Sequence, residues 1–127
     1  MAKKITVKLK TMKHFIFTLF FLIATSAFGQ NAYQQKKIDY FVNKATAHFK
    51  LTKKQSQKLL KSRTQYFLGY IEIMQNERSG AISTEERIKQ IKIHNQKSID
   101  YLQKLTGAEM ANLNQFLSST RKEMNYL

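Results

Sequence analysis

The residues of this chain best equipped for chemistry are its lysines. Lys50, Lys53, Lys54, Lys58 and Lys61 crowd into residues 50–61. At 100° per residue, Lys54, Lys58, Lys61 and Gln65 share one side of a helix, while Leu59, Leu60, Phe67, Tyr70, Ile71 and Met74 share another. Solvated ammonium groups perform no bond chemistry, but a row of them attracts anions over long range and raises encounter rates in a salt-sensitive way. Phe49 and Leu51 flank Lys50 and make a mixed basic and apolar cluster. That mixture suits contact with an acidic or unfolded protein, and it equally suits a helix–helix corner. Lys53 and Lys54 also stand in the first turn of their helix, where the positive helix end disfavours them by about 0.3–1 kcal/mol each at low salt.

No grouping points to catalysis. The chain has no cysteine, which excludes a disulfide scaffold, a thiolate metal site and a cysteine nucleophile. There is no readable Ser/His/Asp arrangement and no His-x-x-x-His pair, and four glycines do not make a phosphate loop. His48 and His94 lie on different helices without a carboxylate at i+3 or i+4. A metal would require the fold to bring them together with Asp39, Asp100 or a glutamate, so interhelical or exposed polar packing is the expectation. Tyr33, Tyr40, Tyr66, Tyr70, Tyr101 and Tyr126 read as interface-edge packing. The sequence therefore predicts a protein that is not an enzyme and needs neither metal nor cofactor.

The amino terminus carries a different message. Residues 1–14 hold five lysines and no acid, residues 15–24 (FIFTLFFLIA) are almost wholly apolar, and Ala27 and Gly29 follow at the spacing of a signal-peptidase site. The apolar run is well short of the roughly 20 residues needed to span a bilayer. A signal peptide over residues 1–29 is predicted, from either a Met1 or a Met12 start, leaving residues 30–127 as a single helical domain that is periplasmic or secreted. The 22 basic and 8 acidic residues give a formal charge of +14. Removing the five leader lysines leaves 17 − 8 = +9. Export argues against nucleic acid as a partner and favours acidic or unfolded proteins, an envelope protein or an anionic membrane surface.

With no proline after the leader, long helices are expected. The first covers residues 31–50, with Ile38, Phe41, Val42, Ala45 and Phe49 on one face. The second runs from Lys53 to about Met74, and residues 75–82 (QNERSGAI) form a loop. The third runs from Thr84 to about Lys104, with Ile88, Ile91, Ile99 and Leu102 on its stripe. Asn95 stands within that stripe, either setting the register of a helix pair or resting on an exposed flank. Ile93 and Tyr101 point away from it, as a second interface would require. The fourth runs from Gly107, with Met110, Leu113, Phe116, Leu117 and Met124.

Three capping boxes mark the helix starts: Thr52 with Gln55, Ser83 with Glu86, and Thr106 with Glu109, the last supported by a Leu105–Met110 hydrophobic staple. Two of them share a pattern. Leu51-Thr52-x-x-Gln55 and Leu105-Thr106-x-x-Glu109 both read Leu-Thr-x-x-Gln/Glu, as either two related hairpins or two good helix starts would produce.

A helical, cysteine-free chain with such motifs behind a leader resembles the Spy/CpxP family of periplasmic proteins. Leu51, Thr52 and Gln55 match the first family motif, and Leu105 and Thr106 match the second, in which Glu109 replaces glutamine. The resemblance implies a curved helical homodimer with a basic, partly apolar surface that holds unfolding clients without ATP or serves envelope-stress signalling. The expected architecture is all-α, four amphipathic helices in two hairpins. The expected function is ATP-independent client binding; the alternative is a structural or adaptor module for one envelope partner or an anionic membrane.

Overall fold

A computed structural model describes residues 32–127, so the signal-peptide reading of residues 1–29 lies outside the described residues. The described residues form four helices and no strand: α1 (residues 32–49), α2 (Lys53–Arg78), α3 (Thr84–Thr106) and α4 (Met110–Met124). None of these is long and apolar enough to cross a membrane.

The chemistry of the helix ends accounts for most boundaries. At α2 both halves of the capping box form. The Gln55 amide donates to Thr52 Oγ1 at 3.1 Å, and the Thr52 amide donates to Gln55 Oε1 at 2.9 Å. The Gln55 side chain also donates to the Leu105 carbonyl at 3.3 Å, satisfying an acceptor in the last turn of α3. The two Leu-Thr motifs, at Leu51 and Leu105, therefore meet at one end of the molecule. Replacing Thr52 with alanine is expected to cost about 1 kcal/mol, read as a lower urea midpoint with an unchanged slope. At α3, Ser83 Oγ accepts from the Glu86 amide at 3.1 Å, while Glu86 Oε1 accepts from Gln90.

Two expectations about boundaries are corrected. The third capping box does not form. Thr106 is the last residue of α3; its hydroxyl donates to the Leu102 carbonyl at 2.8 Å and accepts from the Ala108 amide, and Glu109 caps α4 without a side-chain bond. Gly107 adopts a left-handed conformation (φ 66°) that ends α3, so α4 starts at Met110 and not at Gly107. The proposed staple fails with it: Leu105 packs on the core, whereas Met110 is exposed. The loop after α2 is also shorter than expected. The helix continues to Arg78, and Glu77 receives Arg87 Nε at 2.5 Å across the turn. Gly80 (φ 79°) then allows Ala81 and Ile82 to donate back to the Asn76 carbonyl.

α2 and α3 run antiparallel, with Glu77 paired to Arg87, Tyr66 to Asn95, Arg63 to Ser98 and Gln55 to Leu105. α1 folds back along α2, where Thr46 and Ser56 share a 2.8 Å hydrogen bond. It also runs antiparallel to α4: Tyr40 donates to Glu123, Lys44 Nζ lies 3.4 Å from the same carboxylate, and His48 Nε2 lies 2.9 Å from Asn112 Oδ1. Tyr40 and Lys44 hold the Glu123 carboxyl below its ordinary range, and that carboxylate raises the Tyr40 and Lys44 pKa values.

The core lies entirely at one end of this nested arrangement. Ile38, Phe41, Val42 and Ala45 of α1 and Leu113 and Phe116 of α4 pack with Leu59 and Leu102. Between Leu59 and Leu102 no apolar side chain is fully buried. α1 and α4 are too short to follow α2 and α3 to the turn at Gly80. The apolar stripes that the sequence assigns to α2 and α3 thus continue past the core, leaving Tyr70 and Ile88 exposed.

Candidate binding surface

The helical period sets out matching rows on α2 and α3. Lys58, Lys61 and Gln65 stand at i, i+3 and i+7, as do His94, Lys97 and Tyr101. Between the rows runs an open groove of about 340 Å³ with Ser62, Tyr66 and Ser98 in its floor. Three ammonium groups and an exposed tyrosine line it, and no carboxylate does.

This groove leads into apolar surface. Leu68 continues the α2 row three residues beyond Gln65 and is 59% exposed; Ile93, four residues before Lys97, is 50% exposed. The register that pairs Tyr66 with Asn95 sets Leu68 level with Ile93. A strip of cations and large apolar side chains therefore extends along one side of the hairpin. Lys54 and Lys104 extend the same two rows toward the core end, and both are exposed.

The anchoring of the groove floor uses residues whose roles sequence reasoning did not find. His94 Nε2 donates to the Tyr66 carbonyl at 2.7 Å, and its ring stacks on Tyr66 at 4.8 Å with 9° between the planes. Gly69 makes room for it: a Cβ there would lie 2.6 Å from His94 Cε1. A glycine inside a helix was the available signal, since it costs about 1 kcal/mol against alanine unless something needs the space. Asn95, half-buried between the two helices, accepts from the Tyr66 hydroxyl at 2.6 Å.

The expected cluster at residues 49–51 divides. Phe49 and Leu51 are half-buried and pack on the core, Phe49 meeting Phe116 at 5.0 Å between ring centroids, which is the helix–helix corner that the sequence allows beside client contact. They sit at the corner between α1 and α2, where two helix ends must bury their apolar faces together. Lys50 is exposed there in a left-handed conformation (φ 52°) that favours glycine. Lys53 is exposed at the α2 start, off the groove row. Lys58 and Lys61, by contrast, do line the groove.

The histidines stand in different surroundings, His48 against the rings of Phe49 and Phe116 and His94 between α2 and α3. Among the described residues no group of three or more His, Cys, Asp or Glu side chains is placed to hold a metal ion. No family model, curated protein or solved structure matches this chain.

Proposed function

We propose that the protein is exported as a Spy/CpxP-like helical chaperone or envelope-stress accessory protein that holds unfolded or anionic protein without ATP. The observation that carries this reading is the strip on the α2–α3 hairpin, where the groove of Lys58, Lys61, Lys97 and Tyr101 leads into exposed Leu68 and Ile93. Cations steer an acidic or extended chain to the surface, and exposed apolar groups then retain it. The leader-like amino terminus supports an extracytoplasmic setting, and the Leu-Thr motifs at the two corners support the family. Self-association of the mature chain as a homodimer is part of the proposal, because the apolar positions beyond the core lack cover from α1 and α4; sedimentation showing only monomer at micromolar concentration removes it.

Light scattering from a denaturing client tests the function. Stoichiometric protein at low salt is expected to suppress aggregation. Changing Lys58, Lys61 and Lys97 together to glutamine is expected to slow capture by roughly tenfold, as loss of electrostatic steering does. Absence of suppression by the unmodified protein ends the chaperone reading. Capture of one stoichiometric partner from envelope extract, in place of many clients, selects the adaptor reading.

A further inference from the structure

On the opposite side of the α2–α3 pair, toward α1 and α4, lies a cavity of about 110 Å³. Its wall contains Arg63 of α2 and Arg121 of α4, with Ser62, Ser98, Tyr66 and Asn95 around them and no carboxylate. A single water needs only about 10–15 Å³ of such space.

Arg63 is the unusual member. Its guanidinium lies 3.9 Å from the Phe41 ring centroid and 4.3 Å from that of Tyr66, so aromatic faces cover it. Nη1 donates to Ser98 Oγ at 3.2 Å, but the buried Nε–H has no acceptor. Burial lowers its pKa to about 10, the nearby Tyr66 phenol acts in the opposite direction and Arg121 adds to the depression, so the group remains cationic at neutral pH. A buried cation normally has a counter-charge. Cation–π contact offsets part of its desolvation but satisfies no N–H. Tyr66 meanwhile donates to Asn95 Oδ1, which leaves the donor end of that amide for another partner.

We infer that this cavity is a binding site for one small oxyanion, the chemistry shared by inorganic phosphate and a carboxylate group. Arg63 supplies the planar donor fork that such groups accept in bidentate fashion, and Arg121 supplies a second cation from the facing helix. The Ser62 and Ser98 hydroxyls and the Asn95 amide are neutral donors on the same wall. The cavity shares Ser62, Tyr66 and Ser98 with the floor of the lysine groove, but neither arginine lines that groove, so this binding goes beyond client capture and stands even if that reading falls.

The decisive experiment follows the Arg63 Nε–H resonance of the protein while inorganic phosphate, and separately acetate, replaces chloride at constant ionic strength. The expected result is a saturable shift, with thermal unfolding moved upward by mass action. Saturation by phosphate alone assigns a phosphate site, and saturation by both assigns a general oxyanion site. Arg63→Lys keeps the charge without the fork and is expected to raise the half-saturating concentration at least about tenfold. Arg121→Gln, at an exposed position, is expected to weaken binding several-fold with the fold retained, and it keeps the test valid if the Arg63 variant unfolds. A resonance that does not respond saturably to either anion overturns the proposal. So does a phosphate-dependent rise in unfolding temperature of equal size in Arg121→Gln, because salting-out stabilises any folded chain.

Discussion

Phe116→Ala is expected to remove about 3–5 kcal/mol of folding stability, the range for truncating a buried aromatic. Phe116 is 4% exposed and is where the two short helices meet: its ring lies 5.6 Å from Phe41 and 5.0 Å from Phe49 in edge-on contact, and 5.2 Å from His48. Total stability of a domain is typically about 5–15 kcal/mol, and a domain of this size loses about 4–8 °C per kcal/mol. A fall in melting temperature of at least about 12 °C is therefore expected in a calorimetric or circular-dichroism melt. Phe116→Leu, which keeps much of the volume, is expected to lose far less. A drop for the alanine variant below about 1 kcal/mol would show that α4 is not held by this ring cluster.

The second large effect is one of sign. Alanine normally stabilises a helix interior over glycine by about 1 kcal/mol, yet Gly69→Ala is expected to destabilise this protein by about 1–2 kcal/mol. The new methyl would stand 2.6 Å from His94 Cε1 and 3.0 Å from Nε2. Moving the imidazole forfeits its hydrogen bond to the Tyr66 carbonyl and its stacking on the Tyr66 ring, each worth about 0.5–1.5 kcal/mol. In a His94→Ala background the same substitution has nothing to displace, and it is expected to stabilise by about 0.5–1 kcal/mol. A double-mutant cycle by urea denaturation reads this reversal directly. Additive effects of the two substitutions would refute the contact.

The existence of the helices and the core faces of α1 and α4 were legible because they rest on local chemistry. Ile38, Phe41, Val42 and Ala45 repeat at helical spacing and are buried together; Thr52 and Gln55 spell a capping box and form one. Residues 105–109 misled because two local signals compete there. A threonine three residues before a glutamate announces a helix start, but the glycine directly after the threonine suits the left-handed end of the preceding helix, and that end won. The extra turn of α2 carries Glu77, which pairs with Arg87 ten residues on and past the turn, a partner that no local pattern reveals.

The site residues divide in the same way. Lys58 and Lys61 were visible as a cationic row, but Lys97 and Tyr101 join them only through the α2–α3 register. Arg63 interrupts the apolar side of α2. A charge on a buried stripe is the signal that leads to it, whereas its lack of an acidic partner can be read only in three dimensions.

The nested pairing also imposes an order on folding. Glu77 and Arg87 are ten residues apart and Tyr40 and Glu123 are eighty-three apart, with the other interhelical bonds of α2 and α3 between these extremes. Loop-closure entropy rises with separation, so joining α1 to α4 from an extended chain is the least favourable first step. Once the α2–α3 turn has formed, the hairpin brings Leu59 and Leu102 together and shortens the effective loop left to close. The α1–α2 corner, where Thr46 and Ser56 are also ten residues apart, closes as locally as the α2–α3 turn, so the contacts between α1 and α4 are expected to be the last to form.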